Sequence, residues 1–200
     1  MSATVMGRIE WVMSRWQPDA AGRLQEAAFE LYAERGYEET TVAEIAERAG
    51  LTERTFFRHF ADKREVLFRG SGQLEELMVD GVDTAPSSAT PMEAITAGLV
   101  AAGARFDARL RPYSRQRQAV IDANPELQER EFAKLASLAA GLADALRRRG
   151  VQDPAAGLTA DAGVAVFRVA FEHWVHDESD RDFGCFVHEG IAELRMVAAG

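Results

Sequence analysis

Residues 41–63 read TVAEIAERAGLTERTFFRHFADK. Thr41 is followed three residues later by Glu44, the spacing of a reciprocal N-terminal capping box. Val42, Ile45, Ala46 and Ala49 then fall on one helical face, and Gly50 ends the pattern. Thr52 is a second N-cap, opening a short helix that runs to about Phe60. Two short helices joined at a glycine must cross steeply, and Ala46 and Ala49 are small enough for the backbones to approach. The second of the pair is too short to be stable alone. Phe56 and Phe60, one turn apart, supply an anchor on one side. The other side carries Glu53, Arg54, Thr55, Phe57 and Arg58. A helix pinned on one face and polar on the other suits the major groove of DNA, with its N-terminal residues nearest the base edges.

The residue types fit that use. Arg54 and Arg58 can pair with guanine or clamp phosphates, and Thr55 can meet a phosphate or a thymine methyl. Thr41 and the amides opening its helix are candidates for a phosphate, as is Lys63 just past the reading helix. The alternative from spacing alone is an ordinary helical hairpin whose arginines are solvated, because helix-turn-helix geometry also occurs without DNA.

Outward from this segment, everything reads as helix. Ala, Leu, Glu and Arg dominate, and no alternating run of β-branched or aromatic residues has strand length. Upstream, Asp19 can cap a helix to Arg35 whose stripe is Leu24, Ala27, Ala28 and Leu31, with Gly36 at the C-terminal left-handed position and Tyr37 folding back. Downstream, a helix is expected from about Asp62 to Val82, with Val66, Leu67, Leu74, Leu77 and Met78 inward. Asp83–Pro91 (DTAPSSATP) is the best linker candidate. Further helices are expected at about 92–104, 112–123, 126–149, 160–178 and 183–198, punctuated by Pro112, Pro125, Gly150 and a loop holding Pro154. Arg147, Arg148 and Arg149 read as a solvated helix end that complements the macrodipole.

The net charge of −9 argues against a charge-driven nucleic-acid binder. Residues 1–70 carry ten Lys or Arg against twelve Asp or Glu, and residues 71–200 thirteen against twenty, so neither part is basic. A local positive surface remains available in Arg54, Arg58, Lys63 and Arg64. No stretch approaches the ~18–20 apolar residues that cross a bilayer, so no membrane partner is expected. Arg8, Glu10 and Arg15 interrupt any leader-like apolar run. The single cysteine, Cys185, cannot form an internal disulfide, which points to the cytoplasm.

Ala27–Phe68 (AAFELYAERGYEETTVAEIAERAGLTERTFFRHFADKREVLF) resembles the N-terminal domain of the TetR family of bacterial transcriptional repressors. The marks are the aromatic-plus-glycine end of the first helix, the Thr-Thr opening of the second, Ala-Gly-Leu at the turn, Phe-Phe-Arg-His-Phe, and a lysine three residues later. The resemblance covers about 45 of the 200 residues. It implies an all-α fold of about nine helices: an N-terminal extension over 1–18, a three-helix DNA-binding domain over 19–68, and a ligand-binding and dimerisation domain over 69–200. It also implies a homodimer on palindromic double-stranded operator DNA, released by a small molecule. By matching position, the DNA contacts are Thr41, Thr52, Arg54, Thr55, Phe57, Arg58, His59 and Lys63, with His59 as fit to brace the helix as to touch DNA. Two departures stand out. Phe57 takes the place of a tyrosine common in the family, removing a hydroxyl, and Glu53 puts an acid at the head of the reading helix. In the extension, Arg8, Arg15 and Trp16 are either a basic arm or a loosely docked terminus.

The C-terminal part shows no motif that names a ligand. Its last two helices are the dimer candidates, through Ala162, Val166, Val169, Ala170 and His173 on one and Phe183, Phe186, Val187, Ile191 and Leu194 on the other. Candidate ligand-lining residues are Met78, Leu99, Phe106, Tyr113, Gln116, Val120, Phe167, Phe171 and Trp174, with ordinary core packing as the alternative for each. They suggest a hydrophobic or aromatic effector, while Arg105, Arg109, Arg111, Arg115 and Arg117 hint at an anionic group on it. No cofactor is expected. An enzyme is disfavoured, since no nucleophile elbow, dinucleotide fingerprint, P-loop or zinc-protease motif occurs. The alternative metal or catalytic cluster is Glu172, His173 and His176, near Asp177, Asp180, Cys185 and His188. A pure protein-interaction module leaves the reading helix unexplained. Repressor and activator are not separable from the residues.

Overall fold

The computed structural model describes residues 19–199. Within them lie nine α-helices and no strand: α1 Ala20–Arg35, α2 Val42–Arg48, α3 Glu53–His59, α4 Ser71–Asp83, α5 Pro91–Ala102, α6 Arg111–Asp122, α7 Pro125–Arg148, α8 Ala155–His176 and α9 Phe183–Ala199. The expected arm at Arg8, Arg15 and Trp16 lies outside the described residues. The chain divides into two compact units, residues 1–67 and 68–200.

The first unit is built as its pattern requires. The Asp19 carboxylate accepts from the Gly22 N–H at 2.7 Å and starts α1. Gly36, at φ 87°, turns the chain after it, in a region that side-chain-bearing residues avoid. Leu24, Ala27, Ala28 and Leu31 are buried, as are Ile45 and Ala46 of α2, which packs on α1. The capping box of Thr41 and Glu44 is formed in both directions. Arg48 on α2 reaches back to Glu30 and Glu34 of α1, and Arg35 pairs with Glu44 at 2.6 Å. These pairs are half-exposed, so they orient the helices more than they stabilise them.

The second unit packs α4 against α5, and α8 against α7 and α9, around one continuous apolar core. The α4–α5 crossing depends on glycines. A Cβ on Gly98 would run into the Met78 carbonyl oxygen, and one on Gly81 would lie 2.7 Å from the Gly98 Cα. Residues 83–91 join α4 to α5 inside this unit, so the linker-like composition marks a loop between helices.

Four expectations need correction. Residues 61–70 form turns, and α4 begins only at Ser71, because Gly70 is left-handed (φ 86°) and Asp62 accepts from the N–H groups of Arg64 and Glu65 in a turn. Helix α8 begins at Ala155, since Pro154 occupies its N-cap, where a missing N–H costs nothing. The arginines ending α7 are engaged: Arg148 pairs with Asp83 at 2.6 Å, and Arg149 donates to the carbonyls of Ala85 and Pro86, so together they hold the α4–α5 loop.

The fourth concerns the stripe expected to pair protomers. Val166, Ala170, Phe183, Phe186, Val187 and Ile191 are buried in the protomer's own core, because that side of both helices faces α5 and its neighbours. What α8 and α9 leave exposed is another face, with Leu158, Ala165 and Val169 on α8 and Ala192, Met196 and Val197 on α9.

Candidate functional site

Helix α3 has seven residues and is held by one side. Phe56 is fully buried and Phe60 nearly so, their rings 5.5 Å apart, and the Thr52 hydroxyl accepts from the Thr55 N–H to close the helix start. The turn before it closes with Leu51 N–H donating to Ala46 C=O at 2.8 Å, around Gly50 at φ 65°. Glu53, Arg54, Phe57, Arg58 and His59 are exposed as a group. Arg54 has no hydrogen bond or ion pair among the described residues, and the Arg58 guanidinium meets only the His59 ring, at 3.5 Å. Phe57 is 55% exposed, a large apolar surface on a face otherwise ionic. Five of the eight sequence-selected DNA residues (Arg54, Phe57, Arg58, His59 and Thr52) are thus exposed on or at the head of one helix.

The other three differ. Thr55 is half-buried, its hydroxyl 3.1 Å from that of Thr52. The Thr41 hydroxyl exchanges hydrogen bonds with Glu44, whose carboxyl is held below its ordinary range chiefly by the Thr41 backbone N–H. Lys63 departs most from expectation. Its ammonium donates to the carbonyls of Tyr37 (2.9 Å), Glu38 (3.2 Å) and Thr40 (3.2 Å), and stands 4.2 Å from the centre of the Tyr37 ring. All three of its N–H donors are engaged. Nearby, Tyr32 donates to the Lys63 carbonyl at 3.0 Å, its phenol pushed up by burial and by the Asp62 charge. Lys63 therefore ties the turn after α1 to the chain leaving α3, a role that its position in the sequence does not reveal.

A cleft of about 390 Å³ opens in the second unit between α6, α7 and α8. Phe132 and Leu135 of α7 and Phe167, Phe171 and Val175 of α8 give it an apolar wall. Gln118 and Asp122 of α6, Gln128 and Glu131 of α7, and Arg168, Glu172 and His176 of α8 give it a polar one. Of the nine sequence-selected ligand residues, only Phe167 and Phe171 line it. Met78, Leu99 and Trp174 are core residues with 1% exposure or less, because each lies on the stripe that its helix turns to the interior. Phe106 stacks on Phe183 at 4.2 Å in an aromatic nest that includes Phe167, Phe171 and Trp174, so the cleft's wall is the outer side of that nest. Tyr113, Gln116 and Val120 are half-buried on α6.

Reasoning from sequence missed Phe132, Leu135, Asp122 and Glu131. Phe132 was findable: it is an aromatic off the inward stripe of α7, and it is 60% exposed.

The five arginines that hinted at an anionic ligand are committed elsewhere. Arg111 is buried and donates to the carbonyls of Asp177, Ser179 and Arg181, while Arg115 donates to Val175 and Asp177. Both saturate carbonyls at and beyond the end of α8, where cations are favoured. Arg109 pairs with Asp107, Arg105 with Gln73, and Arg117 with Glu131. Glu172 and His176 line the cleft and His173 is exposed. Among the described residues no three His, Cys, Asp or Glu side chains are grouped to hold a metal. None of the described helices is long and apolar enough to cross a membrane.

Comparison with known proteins matches residues 24–69 to the family described as bacterial regulatory proteins, tetR family, and residues 89–199 to the MftR C-terminal domain. MftR of Mycobacterium tuberculosis, a transcriptional regulator named for mycofactocin biosynthesis, is 31% identical over 169 residues, covering 78% of this chain and 80% of that one. The regulator TcmR of Streptomyces glaucescens is 39% identical over 69 residues, 34% of this chain; the match spans 30% of TcmR, less than a third of its length. Among solved structures, the regulator FadR of Bacillus subtilis in complex with stearoyl-CoA superimposes with a TM-score of 0.55. It is 20% identical, over 86% of this chain and 96% of that one.

Proposed function

The chain belongs to the TetR family of bacterial regulatory proteins, and on that premise we propose that it is a ligand-responsive repressor binding a palindromic operator as a homodimer. The observation that carries the reading is α3, a seven-residue helix anchored by Phe56 and Phe60 that keeps Arg54, Phe57 and Arg58 exposed together. Arg54 and Arg58 read or clamp the DNA, Thr52, Thr55 and His59 flank them, and Thr41 adds a backbone contact. Lys63 shapes the unit, with its ammonium held by carbonyls.

The dimer forms through the exposed face of α8 and α9, where Leu158, Val169, Met196 and Val197 remain uncovered in one protomer. Pairing these faces about a two-fold axis makes an intermolecular four-helix bundle. Two-fold symmetry then places the reading helices about 34–36 Å apart, one turn of DNA. The effector occupies the α6–α7–α8 cleft, its apolar body against Phe132, Leu135, Phe167 and Phe171. It lowers operator affinity by binding one of two states more tightly than the other.

Selection of bound fragments from the source genome tests this reading. A recurrent palindrome bound by one dimer supports it. Recovery of fragments without a shared motif contradicts it. Val169→Asp with Met196→Asp gives a monomer on sedimentation if the bundle is the interface, and an unchanged dimer contradicts that part.

A further inference from the structure

The exposed face of α3 carries an acid, a base and an aromatic ring side by side. Residues three and four apart share one face of a helix, so Glu53 and Arg54 in the first turn stand beside Phe57 one turn later. All three are exposed, and neither Glu53 nor Arg54 has a hydrogen bond or ion pair among the described residues. Phe57 is also the one large apolar side chain left exposed among the described residues of the first unit. Its ring is set edge-on against the buried ring of Phe56, which Phe60 supports in turn. The exposed ring therefore stands on a fixed base.

Its neighbours decide what that ring can face. The sugar-phosphate backbone is the poorer match: Phe57 has no donor for a phosphate oxygen, and phosphates repel the Glu53 carboxylate beside it. Base edges in the major groove suit the same face better. A carboxylate there accepts from the amino group of cytosine, and an arginine pairs with guanine. Among those edges the apolar group is the C5-methyl of thymine. A ring that covers this methyl withdraws it, and part of itself, from water.

We propose that Phe57 is a specificity residue, its ring covering the C5-methyl of one thymine in each operator half-site, next to the base pairs that Glu53 and Arg54 meet. This rests on the operator-binding role proposed above and adds to it a selection that no hydrogen bond makes.

Deoxyuridine in place of thymidine removes the methyl group and keeps the base pairing. The probes are the palindromic duplex selected from the source genome and copies in which each symmetric pair of thymidines is replaced in turn. The full-length protein and its Phe57→Ala and Phe57→Leu variants are titrated against each. Replacement at one symmetric pair is expected to weaken the wild-type complex about tenfold, the worth of two methyl groups withdrawn from water. Phe57→Ala is expected to bind the same two duplexes within about twofold of each other, as a cycle between coupled groups requires. Phe57→Leu, still apolar, is expected to keep part of the preference. An undiminished preference in Phe57→Ala assigns the methyl to another residue and overturns the proposal. So does a wild-type protein indifferent to every replacement, or a selected half-site without thymine, and each of these leaves the operator-binding role standing. Recovery of fragments without a shared motif overturns the role and the proposal together.

Discussion

The ring of Phe57 meets the ring of Phe56 edge-on, with centroids 5.5 Å apart and planes at 80°, yet Phe56 is fully buried while Phe57 is 55% exposed. Neighbouring residues of one type thus divide the work of α3: one holds the helix and the other is held out by it. Phe56→Ala is expected to lower stability by about 3–5 kcal/mol, the usual cost of a deleted core aromatic, and to abolish DNA binding with it. Phe57→Ala is expected to change stability by no more than about 0.5 kcal/mol while weakening the operator complex. Urea unfolding beside operator titration separates the two, and equal destabilisation by both would contradict the division.

Among the described residues Arg54, on the same face, has no hydrogen bond or ion pair, so its removal leaves none of them unpaired. Arg54→Ala is expected to keep the melting temperature and to lose about 1–3 kcal/mol of operator discrimination, the scale of one bidentate base contact. Competition between operator and unrelated DNA measures this directly. Unaltered discrimination would remove Arg54 from the reading set.

Lys63 lends itself to a test of bracing against DNA contact. A phosphate contact removed by substitution lowers the salt slope of DNA binding by roughly one unit. With its ammonium held by the carbonyls of Tyr37, Glu38 and Thr40, Lys63→Met is expected to leave that slope unchanged. It should destabilise the first unit by about 1–3 kcal/mol, since the carbonyls lose a charged donor. A reduced slope with full stability would return Lys63 to the DNA surface.

The α4–α5 crossing is expected to be intolerant of even a methyl group. The Cβ of Gly98→Ala would run into the Met78 carbonyl, backbone that cannot swing aside. A loss of about 1–3 kcal/mol or more is expected. By contrast Gly157→Ala, with open space around it on α8, is expected to be neutral or slightly stabilising. Thermal melts of the two variants would settle the contrast, and a neutral Gly98→Ala would contradict the packing.

The first unit was largely legible in the sequence because its determinants are local. Asp19, Thr41 and Thr52 cap through their own neighbours, Gly36 and Gly50 turn the chain in place, and Phe56 and Phe60 are one helical turn apart. What went unread depends on partners far along the chain. Lys63 is fixed by carbonyls more than twenty residues earlier, and Arg111 by carbonyls more than sixty residues later. The candidate cleft was legible only at Phe167 and Phe171. An amphipathic helix shows which residues are apolar, and nothing in its own period says whether a stripe faces the core, a second protomer or a cavity. Val166 and Phe183 went to the core and Val169 stayed exposed for that reason.

The most direct measurement of the central claim is a titration of the protein and of its Arg54→Ala variant against the DNA flanking its own gene, with unrelated DNA as control, at two salt concentrations. The account predicts one dimer per palindrome, a complex that outlasts the control as salt rises, and loss of that advantage in the variant. Equal binding of operator and control by the wild-type protein, together with an empty genome-wide selection, would contradict it.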